Sequence, residues 1–94
     1  MRESPIKTKI LDYLNSLPSA DFEVSPPNSP TAKADITGCW HGRYIAIEVK
    51  IPGKKARRAQ AYRLGRLRKA GALCIIATSI EDVQDEFLKV FWGM

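Results

Sequence analysis

The sequence contains few residues of the kind that bind soft metals or form disulfides. Among its 94 residues are two cysteines and one histidine, and neither Cys39 nor Cys74 has a partner at CxxC or Cys/His spacing. We therefore expect two reduced thiols rather than a zinc site or a disulfide framework. Long hydrophobic runs are also missing: none approaches the roughly 20 residues that cross a bilayer, and no signal segment opens the chain. These absences predict a cytoplasmic protein without a membrane partner, and the compact size favours a bacterial or phage-infected host cell.

Acidic residues are absent from one segment, residues 50–79, which instead carries nine of the fifteen basic residues. The nine are Lys50, Lys54, Lys55, Arg57, Arg58, Arg63, Arg66, Arg68 and Lys69. Because the net charge is only +5, the rest of the chain is net acidic. A basic block of this size is typical of a surface that binds a polyphosphate such as DNA, although a solvated basic helix or a patch for anionic lipid has the same composition. The candidate nucleic-acid-binding residues are Lys33, Lys54, Lys55, Arg57, Arg58 and Arg63.

A β-hairpin with a defined register is predicted in the middle of the chain. Residues 35–40 and 43–50 are the two strands, and His41-Gly42 is a two-residue turn of the kind that favours Gly for its positive φ. A loop of this length fixes the pairing, so Asp35 lies directly opposite Glu48. The hairpin therefore predicts two carboxylates side by side on one face of the sheet.

Lys50 belongs to the same face as the two acids, because side chains alternate along a strand with a period of two. Ile45, Ile47 and Val49 point the other way, into a core. Two adjacent carboxylates repel each other, and a hard divalent cation such as Mg²⁺ or Mn²⁺ offsets that repulsion. The amine can donate to a phosphate or an attacking water. The pattern predicts metal-assisted phosphodiester hydrolysis; a solvated hairpin face on which a Lys bridges two acids is the structural alternative.

Helical periodicity and capping signals predict three helices, over residues 5–17, 56–70 and about 80–92. Ser4 is the expected N-cap of the first helix, and Ser79 begins a capping box for the last. Outside the hairpin, residues 22–24 and 73–78 are predicted strands, and the Pro- and Ser-rich residues between 25 and 33 form a loop that leads to the site. A crossover helix between the hairpin and the last strand predicts parallel pairing. We expect one α/β domain over residues 1–94, with a mixed β-sheet flanked by helices in the order αβββαβα.

Two further polar residues have both a structural and a functional interpretation. Gln60 lies on the same stripe of the basic helix as Leu64 and Leu67, so it is either an amide satisfied by a neighbour or a group that orients Lys50 or a water. Glu3 precedes the first helix, where an acid is favoured by the helix dipole but is also able to reach the sheet.

Asp35 followed by Glu48-Val49-Lys50 resembles the D...ExK signature of the PD-(D/E)xK nuclease superfamily. The more specific likeness is to the VRR-NUC nucleases and extends over nearly the whole chain. It consists of an acid ahead of an N-terminal helix, the hairpin motif DI.G...G..I.IEVK, a Gln on a basic helix and an AG step into the last strand. This resemblance implies a restriction-endonuclease-like fold.

The resemblance also implies roles for single residues. Asp35, Glu48 and the carbonyl of Val49 would bind the metal, Lys50 would be the catalytic lysine, Gln60 a supporting active-site residue and Glu3 a distal acid. The implied cofactor is Mg²⁺ or Mn²⁺, with no small-molecule cofactor, and the implied partner is DNA, particularly branched DNA. A homodimer resembling a Holliday junction resolvase would suit a two-fold symmetric junction. The alternatives are a flap or fork endonuclease and a non-catalytic nucleic-acid-binding module.

Overall fold

The computed structural model of the protein describes residues 3–26, 33–53 and 57–92, with the side chains of Glu3 and Ser4 outside the description. The helices and strands in these residues are α1 (Glu3–Asn15), β1 (Asp21–Val24), β2 (Ile36–Trp40), β3 (Arg43–Val49), α2 (Arg58–Lys69), β4 (Leu73–Ala77) and α3 (Ile80–Phe91). The predicted element order αβββαβα is confirmed. Within the described residues no helix combines the length and apolarity that crossing a bilayer requires.

The four strands form one mixed sheet in the order β1-β2-β3-β4. Strand β2 is antiparallel to both β1 and β3, and β4 runs parallel to β3, as the crossover helix predicted. The hairpin register is also confirmed, because Trp40 pairs with Arg43 and Ile36 with Ile47. Its turn residues His41 and Gly42 have φ of 54° and 74°, which is the pair of positive angles that a type I′ turn needs.

The central strand β3 is buried on both faces of the sheet. Ile45, Ile47 and Val49 belong to the main core, which α1 and α3 cover. The alternate residue Ala46 packs with Leu64 of α2 in a second, smaller cluster on the opposite face. Glu48 follows in the same alternation, so the sheet places this carboxylate in a covered position instead of on an open, solvated hairpin face.

Helix boundaries differ from the sequence prediction by two residues in three places, one of which is the end of α1, at Asn15 instead of residue 17. Helix α1 already includes Glu3, so the prediction that Ser4 is the N-cap is wrong; Pro5 fits inside the first turn because the first four N–H groups of a helix have no intrahelical acceptor. Helix α2 begins at Arg58 rather than at residue 56, since Arg57 has extended backbone angles. The serine half of the predicted capping box is confirmed, because Ser79 Oγ accepts a hydrogen bond from the backbone N–H of Asp82.

Candidate active site

The hairpin brings Asp35 and Glu48 together at one end of the sheet. Asp35 immediately precedes β2, and since Ile36 pairs with Ile47, the next position along the ladder sets Asp35 against Glu48. The side chain of Asp35 is fixed across the two strands, because its Oδ2 accepts a hydrogen bond of 2.9 Å from the backbone N–H of Val49. The two carboxylates therefore occupy positions set by backbone pairing.

Glu48 is the most constrained charged group in the site. It is only 1% exposed, and its Oε1 atom is buried without a hydrogen-bond partner. Burial raises the pKa of the Glu48 carboxyl above its ordinary value, the charge of Asp35 raises it further, and Lys50 opposes both effects. A buried acceptor without a donor costs about 1–3 kcal/mol, and more when it is charged. Oε1 is thus a strong oxygen ligand for which the described part of the protein supplies no partner.

Lys50 connects the carboxylate to helix α2. Its Nζ lies 3.1 Å from Glu48 Oε2 and donates a hydrogen bond of 3.2 Å to Gln60 Oε1. Both Lys50 and Gln60 are nearly buried, at 9% and 6% exposed. Gln60 Oε1 also accepts a 3.2 Å hydrogen bond from the backbone N–H of Arg57, which holds the amide in place at the beginning of α2. Gln60 therefore links the Lys50 ammonium group to the beginning of α2.

Lys7 is a site residue that the sequence did not reveal. It projects from α1, and its Nζ lies 3.4 Å from Asp35 Oδ1. Lysines are common on exposed helix faces, and only the packing of α1 against the sheet makes this one a neighbour of Asp35. No motif or spacing in the sequence indicates this contact.

The donor set of the site fits a hard divalent cation better than zinc. The residues in the described ranges contain no group of three or more His, Cys, Asp or Glu side chains arranged for a metal. Asp35 and Glu48 provide two carboxylates, and Mg²⁺ is usually bound by one or two carboxylates while it keeps several waters and binds substrate phosphates. The unpartnered Glu48 Oε1 supports the same fit. The Val49 carbonyl stays a predicted ligand, and the side chain of Glu3 lies outside the described structure.

Basic residues continue from the site along helix α2. Arg57 and Arg58 are exposed beside Gln60, and Arg63 is half-buried one turn further along the helix. Lys33 is exposed two residues before Asp35. Of the other predicted DNA-binding residues, Lys54 and Lys55 lie outside the described residues. The described cations thus stand next to site residues along the chain, with Arg57 and Arg58 just before Gln60 and Lys33 just before Asp35.

Comparison with known proteins identifies the fold. No family model matches the sequence, and a search of curated proteins found no match. One solved structure, described as "VRR_NUC domain", superposes with a TM-score of 0.76 at 19% identity and covers 95% of this chain and 96% of its own. A second, "VRR_NUC domain protein", has a TM-score of 0.74 at 17% identity and covers 98% of this chain and 89% of its own. The chain therefore has the α/β fold of VRR_NUC domains, as the hairpin motif predicted.

Proposed function

We propose that the protein is a metal-dependent nuclease that hydrolyses phosphodiester bonds in DNA at the site formed by Asp35, Glu48 and Lys50. The observation that carries this proposal is the buried Glu48 carboxylate, which has one oxygen without a partner and faces a second carboxylate. Such an arrangement is unfavourable for folding alone, since it combines desolvated charge with repulsion. A bound divalent cation offsets both costs, and the fold of VRR_NUC domains is consistent with a nuclease.

Each residue has a role that follows from its position. When bound, Mg²⁺ or Mn²⁺ supplies Lewis-acid polarisation of a phosphate oxygen and activates water. Asp35, Glu48 and the Val49 carbonyl would hold it, with Glu3 as a distal acid. Lys50 donates hydrogen bonds to the attacking water or to the phosphate and stabilises its growing negative charge. Gln60 accepts from Lys50 Nζ, so it keeps the ammonium group aimed at the reacting atoms.

The reaction is a direct displacement at phosphorus. The water oxygen forms a new bond to phosphorus while the bond to the leaving ester oxygen breaks. One water proton is released and the leaving alkoxide gains a proton, so no covalent enzyme intermediate forms. Lys50 contacts the phosphate in the ground state and in the transition state. Its ammonium group binds the transition state more strongly, because that state is more highly charged.

The substrate we propose is DNA recognised by its backbone and its branching. The exposed cations Lys33, Arg57 and Arg58 together with Arg63 suit phosphate contacts, with Lys54 and Lys55 as further candidates. A chain of 94 residues is small, and a homodimer with two active sites would cut a symmetric four-way junction at two equivalent positions. We therefore favour a Holliday junction resolvase-like activity over flap or fork cleavage.

The test is cleavage of labelled four-way junction, flap and linear duplex DNA with Mg²⁺, Mn²⁺ or EDTA. Wild type is compared with Glu48→Gln, and with Glu23→Gln as a matched control because Glu23 is exposed on β1. We expect metal-dependent, paired cuts in the junction that vanish only in Glu48→Gln. Cuts in flaps alone would redirect the substrate, and DNA binding without cleavage under any metal condition would instead identify a non-catalytic binding module.

A further inference from the structure

Each of the two acids in the candidate active site forms an ion pair with its own lysine. Glu48 Oε2 lies 3.1 Å from Lys50 Nζ, and Asp35 Oδ1 lies 3.4 Å from Lys7 Nζ. The other Asp35 oxygen accepts the backbone N–H of Val49. With both acids ionised, these four side chains sum to zero charge. Lys7 thus contributes half of the positive charge that balances the acidic pair.

The two lysines differ in how firmly they are held. The side chains of Lys50 and its partner Glu48 are both nearly buried, and Gln60 provides a second acceptor for the ammonium group. The side chain of Lys7 is 29% exposed and that of Asp35 is 22% exposed. Ion pairs that water reaches are weaker, because solvent screens them and offers both charges an alternative partner. Lys7 is therefore the lysine that can leave its carboxylate.

We propose that Lys7 is a displaceable counter-ion of Asp35, which leaves Asp35 when a divalent cation binds to the two acids and then donates to a DNA phosphate next to the site. The proposal rests on the proposed function, since it requires a divalent cation at Asp35 and Glu48. Adding two positive charges to a neutral cluster repels Lys7 and attracts an anionic phosphodiester. The flexible four-carbon stem of a lysine lets its ammonium group exchange one oxygen partner for another.

Opposite effects on metal and on DNA follow from this exchange. Lys7 competes with the metal for Asp35, so its removal should strengthen metal binding. The same lysine contacts phosphate once the metal is bound, so its removal should weaken DNA binding in the presence of metal. A lysine that merely stabilises α1 against the sheet would produce neither the first effect nor a metal-dependent second one.

The first experiment measures Mn²⁺ affinity by calorimetric titration of wild type, Lys7→Met and Lys9→Met. Lys9 is an exposed lysine of the same helix and controls for the loss of one positive charge. We expect Lys7→Met to bind Mn²⁺ about two- to fivefold more tightly, which is the factor that a partly exposed ion pair is worth, and Lys9→Met to match wild type. Equal or weaker Mn²⁺ binding by Lys7→Met would overturn the proposal.

The second experiment measures the salt dependence of DNA binding in Ca²⁺ and in EDTA. Ca²⁺ is a hard cation that takes the same oxygen ligands as Mg²⁺. Loss of one phosphate contact should reduce the slope of log K against log salt by about 0.9 for duplex DNA. We expect this reduction for Lys7→Met in Ca²⁺ and a smaller one in EDTA, where wild-type Lys7 is paired with Asp35. The same change under both conditions would refute the exchange.

Failure of the proposed function has a different signature. If Glu48→Gln binds Mn²⁺ as well as wild type does, the acidic pair is not a metal site, and the Lys7 proposal is overturned with it. If Glu48→Gln loses Mn²⁺ binding while Lys7→Met leaves it unchanged, only the role of Lys7 is refuted.

Discussion

Replacing Lys50 with Met tests whether the acidic site is held together by this one ammonium group. The substitution keeps most of the aliphatic side chain but removes Nζ, which lies 3.1 Å from Glu48 Oε2 and 3.2 Å from Gln60 Oε1. The Glu48 carboxylate, 1% exposed and already without a partner at Oε1, then loses its cation. Removing one partner of a buried ion pair typically costs about 3–5 kcal/mol. We expect a loss of that size in the free energy of unfolding near pH 8 in EDTA.

The stability that Lys50→Met loses relative to wild type should become smaller as the pH falls. Burial and the charge of Asp35 raise the pKa of Glu48, so the folded protein binds this proton at higher pH than the unfolded chain does. The contribution of the group to stability is therefore fully present below its unfolded pKa and is lost as the pH rises through the folded pKa. Lys50 lowers the pKa of Glu48, so Lys50→Met raises it further. Near pH 5 more of the variant carries a neutral Glu48, and its deficit relative to wild type should be smaller than at pH 8.

The double variant Lys50→Met/Glu48→Gln completes the cycle. Removing both charges leaves no buried carboxylate without a cation, so we expect stability within about 1 kcal/mol of wild type. Urea unfolding followed by tryptophan fluorescence measures all four proteins, since Trp40 packs on Phe91 at a ring-centroid distance of 4.9 Å and reports on the core. A Lys50→Met loss below about 1 kcal/mol at pH 8, or a double variant as unstable as Lys50→Met, would refute the reasoning.

Three other predictions concern the metal, two glycines and the basic helix. Mg²⁺ at a hundred times its dissociation constant should stabilise the wild type by about 2.7 kcal/mol, or roughly 10–20 °C in Tm, and Glu48→Gln should lose this effect in thermal unfolding. Gly38→Ala should lower the free energy of unfolding by at least about 3 kcal/mol, because the added Cβ would approach the backbone oxygen of Asp21. Gly65→Ala should instead stabilise α2 by about 1 kcal/mol, because a Cβ at that position would have no atom within 4 Å. Urea unfolding measures both changes. Arg58→Ala should weaken binding to DNA of many sequences equally, as measured by fluorescence anisotropy at several salt concentrations.

Each of these predictions has an outcome that contradicts it. Equal stabilisation of wild type and Glu48→Gln by Mg²⁺ would place the metal elsewhere. Gly38→Ala as stable as wild type would mean that β1 can move away from β2, which the observed register does not allow without breaking pairs. A loss of affinity at one base sequence alone would show that Arg58 reads a base edge instead of the phosphate backbone.

The sequence by itself determined the hairpin and the acids on it. A two-residue turn with Gly42 leaves one pairing register, and strand alternation then assigns Asp35 and Glu48 to one face. These are local rules that act over a few residues, so they hold whatever the rest of the chain does. The element order and the parallel β4 strand followed from similarly local signals and from the handedness and length of a crossover connection.

Only the tertiary structure decided what surrounds those acids. The contacts of Lys50 with Gln60 and of Asp35 with Lys7 depend on how α2 and α1 pack against the sheet. The burial that leaves Glu48 Oε1 without a partner depends on α2 covering the second face, which an isolated hairpin would expose. Helix placement reflects the sum of many weak packing contacts between segments distant in sequence, and no periodicity within one segment encodes it.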